Sequence, residues 1–172
     1  TVAIDFHAIL PELVLASTAL LVLVVDLFVE RAKVVASWLS IAGTAVAGVA
    51  LASLVGGGTR STFGGSFVVD NYALLFKGLF LGSLLLVLLM SQRYVDAGTA
   101  YQGEFYFLLL CSILGMLTIS SSRDLLMLFI SLELVTVLQA LIVIFIAAPA
   151  LVKAVFQLRA ARAARLSTSL AK

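Results

Sequence analysis

The sequence predicts an all-α polytopic transmembrane helix bundle of about five spans, followed by a C-terminal basic amphipathic helix. Three observations predict it. First, 63% of the residues are hydrophobic, only 12% are charged, and the mean hydropathy is +1.21. Soluble domains carry about 25% charged residues, and a chain this small has too little interior to hide so much apolar surface. Second, the apolar residues fall into five runs, each near the ~20 residues a helix needs to cross a bilayer. Third, nearly all Lys and Arg residues lie between or after those runs. The chain divides into a bundle, 1–149, and a basic interfacial tail, 150–172.

Composition also excludes whole classes of function. There is one cysteine, Cys111, and one histidine, His7. A lone cysteine in an apolar run makes neither an internal disulfide nor a metal site. No CxxC, Walker lysine loop or GxGxxG occurs, so no redox centre, cofactor or metal is expected. A net charge of +2 and a pI near 8.9 do not point to nucleic acid, because cations that flank apolar spans are explained by membrane topology. A start at Thr1 suggests a processed or partial chain, and the first apolar run is too long for a signal-peptide core.

The first span is expected over Ile9–Val29, with Pro11 in its first turn, where a missing N–H costs nothing. Asp26, Glu30, Arg31 and Lys33 follow at its far end. A second span covers Val34–Val55, in which Gly43 with Ala47 and Gly48 with Ala52 give small-xxx-small pairs suited to close packing. The stretch 56–65, GGGTRSTFGG, is too glycine-rich for a helix and reads as a loop, with 66–70 extended. Asp70 or Asn71 is placed to cap a third span, Tyr72–Met90. Ser91–Gly103 reads as a polar connection. The fourth span, Glu104–Ser120, is short, and stands upright or uses Tyr101 and Tyr106 at the interface. The fifth, Ser122–Ala148, is long enough to tilt or to end before Pro149.

Charge orients the bundle. With five spans one side receives Arg31, Lys33, Arg93, Lys153, Arg159, Arg162, Arg165 and Lys172, the other only Arg60 and Arg123. The positive-inside rule then places the N terminus outside and the C terminus in the cytoplasm. In the tail, Leu151, Val155 and Leu158 follow helical spacing and Arg159, Arg162 and Arg165 recur every third residue. That is the pattern of a helix lying on an anionic leaflet, with membrane lipid as its partner; the alternative is a frayed basic tail. It has no aromatic residues to stack on bases after Phe156, so a nucleic-acid arm is disfavoured.

Glu133 is the first candidate for chemistry. It lies about 16 Å along a helix starting near Ser122, close to the midplane of a hydrocarbon core ~30 Å thick. A carboxylate there costs roughly 2.5–3.5 kcal/mol on translocon scales. Two readings stand: a proton-relay acid, or a protonated group that hydrogen-bonds locally and fixes packing. Lys77, roughly 8 Å into its span, either snorkels to the interface or serves as a relay or partner. Their expected depths differ by about 8 Å, so the two need not touch. Asp26 reads as a helix-end charge, Arg123 with Asp124 as an interfacial anchor, and Phe105–Phe107 as lipid or helix contacts. His7 is assigned no role.

Three stretches carry a family resemblance: LPELVLASTALLVLVVDLF (10–28), FVVDNYALLFKGLF (67–80) and GEFYFLLLCSILGMLTISSSRDLLMLFISLELVTV (103–137). They resemble the N-terminal part of the antiporter-like membrane subunit N of proton-translocating NADH–quinone oxidoreductase, respiratory complex I. The plant and cyanobacterial relative is called subunit 2. The last stretch, a long gapless match, is the most specific. The resemblance implies a membrane-arm subunit that takes part in redox-coupled proton translocation without redox chemistry of its own. It implies a cell inner membrane location, and other membrane subunits of complex I, antiporter-like ones included, as partners. It places the family's fifth-helix glutamate, which pairs with a lysine on a later broken helix, on Glu133, and puts Lys77 in a third-helix motif. The alternatives are a subunit of a related multi-subunit cation/proton antiporter and a truncated structural or assembly paralogue.

After Val137 the sequence departs from the family, which continues with a proline and a tyrosine, a basic loop and a discontinuous helix. Here LQALIVIFIAAPALVKAVFQLRAARAARLSTSLAK follows instead, without a counterpart of the partner lysines. The expectation is a fragment, a joined chain or a truncated homologue.

Overall fold

Each of the five apolar runs is a helix in the computed structural model, which describes residues 5–28, 32–95 and 102–144. The order is α1 (Leu10–Phe28), α2 (Ala32–Ala52), β1 (Arg60–Thr62), β2 (Phe67–Val69), α3 (Asn71–Val95), α4 (Gln102–Ser121) and α5 (Leu125–Ile144). All five helices are long and apolar enough to cross a membrane. The basic tail lies outside the described residues, as do Tyr101 and Pro149.

Helical periodicity builds the core. The buried stripe of α1 is Glu12, Leu15, Ala19 and Val22; that of α3 is Ala73, Lys77, Leu81, Leu84 and Leu88. Tyr106, Leu110, Ile113 and Leu117 of α4 and Ala47 and Leu51 of α2 meet them. This three-to-four spacing keeps one face inward. The opposite faces carry exposed Leu13, Leu20, Val49, Leu75, Leu79, Leu86 and Met90, so the bundle is apolar outside as well as inside, as hydrocarbon surroundings require.

The α1–α2 contact is close because Gly43 lies against Thr18, where an added Cβ would collide with the threonine side chain. Thr18 turns its hydroxyl back to the Val14 carbonyl (2.7 Å), so no polar group is left facing the seam. Only half of the small-residue expectation holds. Nothing lies within 4 Å of a Cβ built at Gly48, and Ala52 is exposed.

The glycine-rich loop is more ordered than expected. Arg60–Thr62 pairs antiparallel with Phe67–Val69, in register Arg60↔Val69, Ser61↔Val68 and Thr62↔Phe67. The turn between them takes left-handed φ at Phe63 (53°), Gly64 (66°) and Gly65 (95°); the glycines adopt it freely. Phe67, Val68 and Val69 are all buried, so the hairpin lies against one end of the bundle. There Phe67 bridges to Ser122, and the Arg123 N–H donates to the Ser66 carbonyl (2.9 Å). Beside it the Asp5 N–H donates to Thr62 Oγ1 (3.1 Å), and Arg60 pairs with Asp5 at 3.3 Å.

Other boundaries move for local reasons. Asp70 is the cap of α3, its Oδ1 accepting the Ala73 N–H at 2.8 Å. At its far end α3 runs past Met90 into the stretch expected as a polar connection, where Gln92 donates to Ser37 Oγ of α2 (3.3 Å). The fourth helix gains its length at both ends, and Tyr106 is 1% exposed in the core, not at an interface. Asp124 precedes α5 as its cap, accepting from the Leu126 N–H (3.4 Å), which starts this helix at Leu125 instead of Ser122.

Candidate functional site

The periodicity that turns leucines inward on α1 and α3 also turns two charges inward. Lys77 Nζ lies 2.7 Å from Glu12 Oε1. Lys77 is wholly buried and Glu12 4% exposed. Both helices begin at the hairpin end, so an acid in the first turn of one and a base in the second turn of the other come within reach. The hairpin completes the site: Nζ sits 4.8 Å from the centroid of the Phe67 ring, at a distance where a cation is drawn to the ring face. At 2.7 Å the contact is an ion pair at hydrogen-bond distance. Among the described residues no further donor reaches the Glu12 oxygens and no further acceptor reaches Nζ.

Lys77 does not snorkel to an interface; its Nζ is held within the bundle beside a carboxylate. Glu12 was not legible as a candidate, because an acid in a first helical turn is ordinarily a favourable terminal charge. Two signals point to it in hindsight. It shares the stripe of Leu15, Ala19 and Val22, and the alternation of spans puts the starts of the first and third helices on the same side.

Glu133 lies elsewhere. It is the ninth residue of α5, about 12 Å along the helix, so it remains near mid-span although the helix starts later than expected. Only 6% of the α5 span is buried, against 28–44% for the others. This helix touches α4 at Gly115, where a Cβ would meet Val135 Cγ2 at 2.6 Å and the Ser131 carbonyl at 3.3 Å. Glu133 is on another face, in an exposed row with Phe129 and Val137. Among the described residues no salt bridge reaches it; Lys77 and Glu133 are not brought together. A cavity of about 420 Å³ opens between the hairpin turn (Ser66), α4 (Thr118) and the Asp124–Leu134 side of α5. Glu133 does not line it.

The remaining candidates are placed plainly. Arg123 pairs with Asp70 at 3.6 Å, joining the starts of α3 and α5. Asp26, at the far end of α1, packs against Gly103 of α4, where a Cβ would collide with the carboxylate side chain. Cys111 is a free, half-buried thiol.

A helix bundle, apolar on both its inner and outer surfaces, that buries a lysine–carboxylate pair and carries a further carboxylate at mid-span defines a polytopic membrane protein with ionisable groups at membrane depth. No family model matches the chain. It is, however, 37% identical over 125 residues to the NADH-quinone oxidoreductase subunit N of Dehalococcoides mccartyi, covering 73% of this chain and 26% of that protein. It is 40% identical over 130 residues to the subunit N of Desulfovibrio desulfuricans, covering 76% and 26%. With the chloroplastic NAD(P)H-quinone oxidoreductase subunit 2 of Nephroselmis olivacea it shares 38% over 141 residues, covering 75% and 27%. The chain belongs to the subunit N family and corresponds to its N-terminal part. It spans about a quarter of the length of the curated relatives it matches.

Proposed function

We propose that this chain is part of a membrane-arm subunit of an NADH–quinone oxidoreductase, and that it takes part in proton translocation driven by a redox reaction carried out elsewhere in the complex. The observation that carries the reading is the 37–40% identity to subunit N over three quarters of the chain, beside an apolar 20-residue helix that holds one carboxylate, Glu133. The names of the relatives favour a quinone oxidoreductase over a cation/proton antiporter. Its partners are other membrane subunits of that complex, antiporter-like ones included, together with membrane lipid.

Glu133 acts as a proton-exchanging group on α5 and Lys77 as a relay or partner on α3. A carboxylate on a lipid-facing surface is expensive, so the exposed row of Phe129, Glu133 and Val137 is a face for a further helix of the arm. The assignment extends to topology. The chain sits in the cell inner membrane with the N terminus outside and the 150–172 tail lying on the cytoplasmic surface, because Lys and Arg gather on that side.

Replacement of Glu133 tests the role. Glu133→Gln keeps shape and much of the hydrogen bonding but removes titration. The complex assembles with normal subunit content, while proton pumping and the coupled quinone reductase rate fall together, and Glu133→Asp retains more of both. Assembly, electron transfer and pumping are measured on the same membranes. A Glu133→Gln complex that assembles and pumps at the unmutated rate and proton-to-electron ratio leaves only the packing role.

A further inference from the structure

We propose that Glu12 and Lys77, roofed by Phe67, form a second protonation site of this chain: a buried pair in which a proton passes between Lys77 Nζ and Glu12 Oε1. It deepens the role proposed for Lys77 by naming the group with which that lysine exchanges.

The first argument is the inventory of donors and acceptors. An ammonium has three N–H donors and a carboxylate about four lone-pair sites. Here Nζ and Oε1 are 2.7 Å apart, a distance across which a proton can pass, and among the described residues no other hydrogen-bonding group satisfies Nζ or Oε2. Buried polar atoms are satisfied in nearly every known structure, so this pair is held in place at a cost. The Phe67 ring attracts the cation but offers no N–H or O–H donor to Oε2.

The second argument is that stability alone does not account for the pair. Two apolar side chains of similar volume are often as good or better at such a place, and the neighbours on both stripes are already apolar. Ionisable groups inside membrane spans characteristically mark proton or ion paths. The third is location. Glu12 is in the first turn of α1 and Lys77 in the second turn of α3, beneath a hairpin that carries Arg60, Thr62 and Ser66 and is bonded to Asp5 of the N-terminal segment. The pair therefore lies near one end of the bundle. Among the described residues Arg60 pairs there with Asp5, Arg123 pairs with Asp70, and Asp124 caps α5.

The step is balanced within the pair. An N–H bond of Lys77 breaks, an O–H bond forms at Glu12 Oε1, and ammonium–carboxylate becomes amine–carboxylic acid with zero net charge before and after. No electron is transferred and no other reactant is consumed. Low polarity favours the neutral form, whereas the short ion-pair contact and the Phe67 ring favour the charged one.

Infrared difference spectra of the intact oxidoreductase complex, taken in H2O and D2O across a pH series, test it. The unmutated complex is expected to show a protonated-carboxyl stretch that shifts in D2O and is lost in Glu12→Gln. Glu12→Asp, which keeps the acid on a shorter arm and covers the case that Glu12→Gln fails to assemble, is expected to move the band. Unmutated and variant spectra that coincide, or a Glu12 band that does not shift in D2O, overturn the proposal. The readout is the carboxyl itself, not pumping. It can therefore fail while Glu133 still serves translocation, or hold when Glu133→Gln pumps normally.

Discussion

A single side chain in this bundle is tolerated or not according to what it leaves unpaired. Lys77→Met strands the Glu12 carboxylate inside the bundle, and breaking one side of a buried ion pair costs about 3–5 kcal/mol. Lys77→Met together with Glu12→Leu removes both charges and should recover most of that loss. Stability of the purified complex to heat or denaturant is the measurement, and a double variant as weak as the single one contradicts the pairing. Glycine is judged by the same local rule. Gly43→Ala drives a methyl into Thr18 and should cost about 1–3 kcal/mol, the range for overpacking. Gly48→Ala, with nothing within 4 Å of its Cβ, should be neutral or slightly stabilising, since alanine is the better helix former. Equal effects at the two positions would show that α1 does not lie against Gly43.

Among the elements, the short hairpin has the most influence for its size. It holds the N-terminal segment through Asp5, roofs the buried pair through Phe67, and reaches the α4–α5 link through Ser66 and Phe67. Asp70 joins this set by capping α3 and pairing with Arg123. Asp70→Ala should therefore cost about 0.5–2 kcal/mol, as loss of an N-cap does, and Asp70→Asn should recover most of it. Hydrogen exchange at the Ala73 amide reports the cap directly. The Asp5 tether depends on pH. Partial burial pushes its carboxyl up, but the His7 N–H and the Arg60 guanidinium outweigh this and leave it below the ordinary 3.8. A carboxylate lowered in this way stabilises the fold above pH 3.8, and that contribution disappears as pH falls through its lowered value. The effect is small because the pair is partly exposed. Faster exchange of the Asp5 and Ala8 amides below that pH, without change in the helices, is the expected result.

For the whole molecule the question is which end faces which side. The hairpin sits between α2 and α3, so the proposed topology places Ser61 outside and Ser167 in the cytoplasm. Cysteines introduced at these positions should react with an impermeant reagent from opposite sides; labelling of Ser61→Cys only from the cytoplasm reverses the orientation. Spin labels stepped through the tail from Leu151 to Ala164 should show an accessibility period of three to four residues if it lies on the membrane as a helix. A flat profile removes the interfacial helix. At this scale α1–α4 pack on one another, whereas α5 meets α4 at Gly115 and the hairpin cluster through Met127, with most of its surface uncovered. That uncovered surface carries Glu133.

Much of this was written in the chain itself. Five spans follow from run length and hydropathy, because the thickness of hydrocarbon sets how many apolar residues a crossing helix needs. A cap at Asp70 or Asn71, the extended piece before it and the Glu133 position near mid-span follow from local pattern in the same way, and the structure selects Asp70. What pattern along one helix does not determine is which charge meets which. Lys77 looked as able to snorkel as to pair, and Glu12 looked like an ordinary first-turn acid, since each judgement used only its own helix. The pairing depends on the rotation of α1 and α3 about their axes and on the approach of the hairpin, and these are set by Gly43 against Thr18, by the shared leucine stripes and by Phe67. Strand β1 was hidden for a related reason: glycines at both ends of GGGTRSTFGG mask three residues whose extended form is stabilised by their partner strand. Local chemistry settled what each segment is; only packing between segments settled that the lysine on α3 belongs to the glutamate on α1.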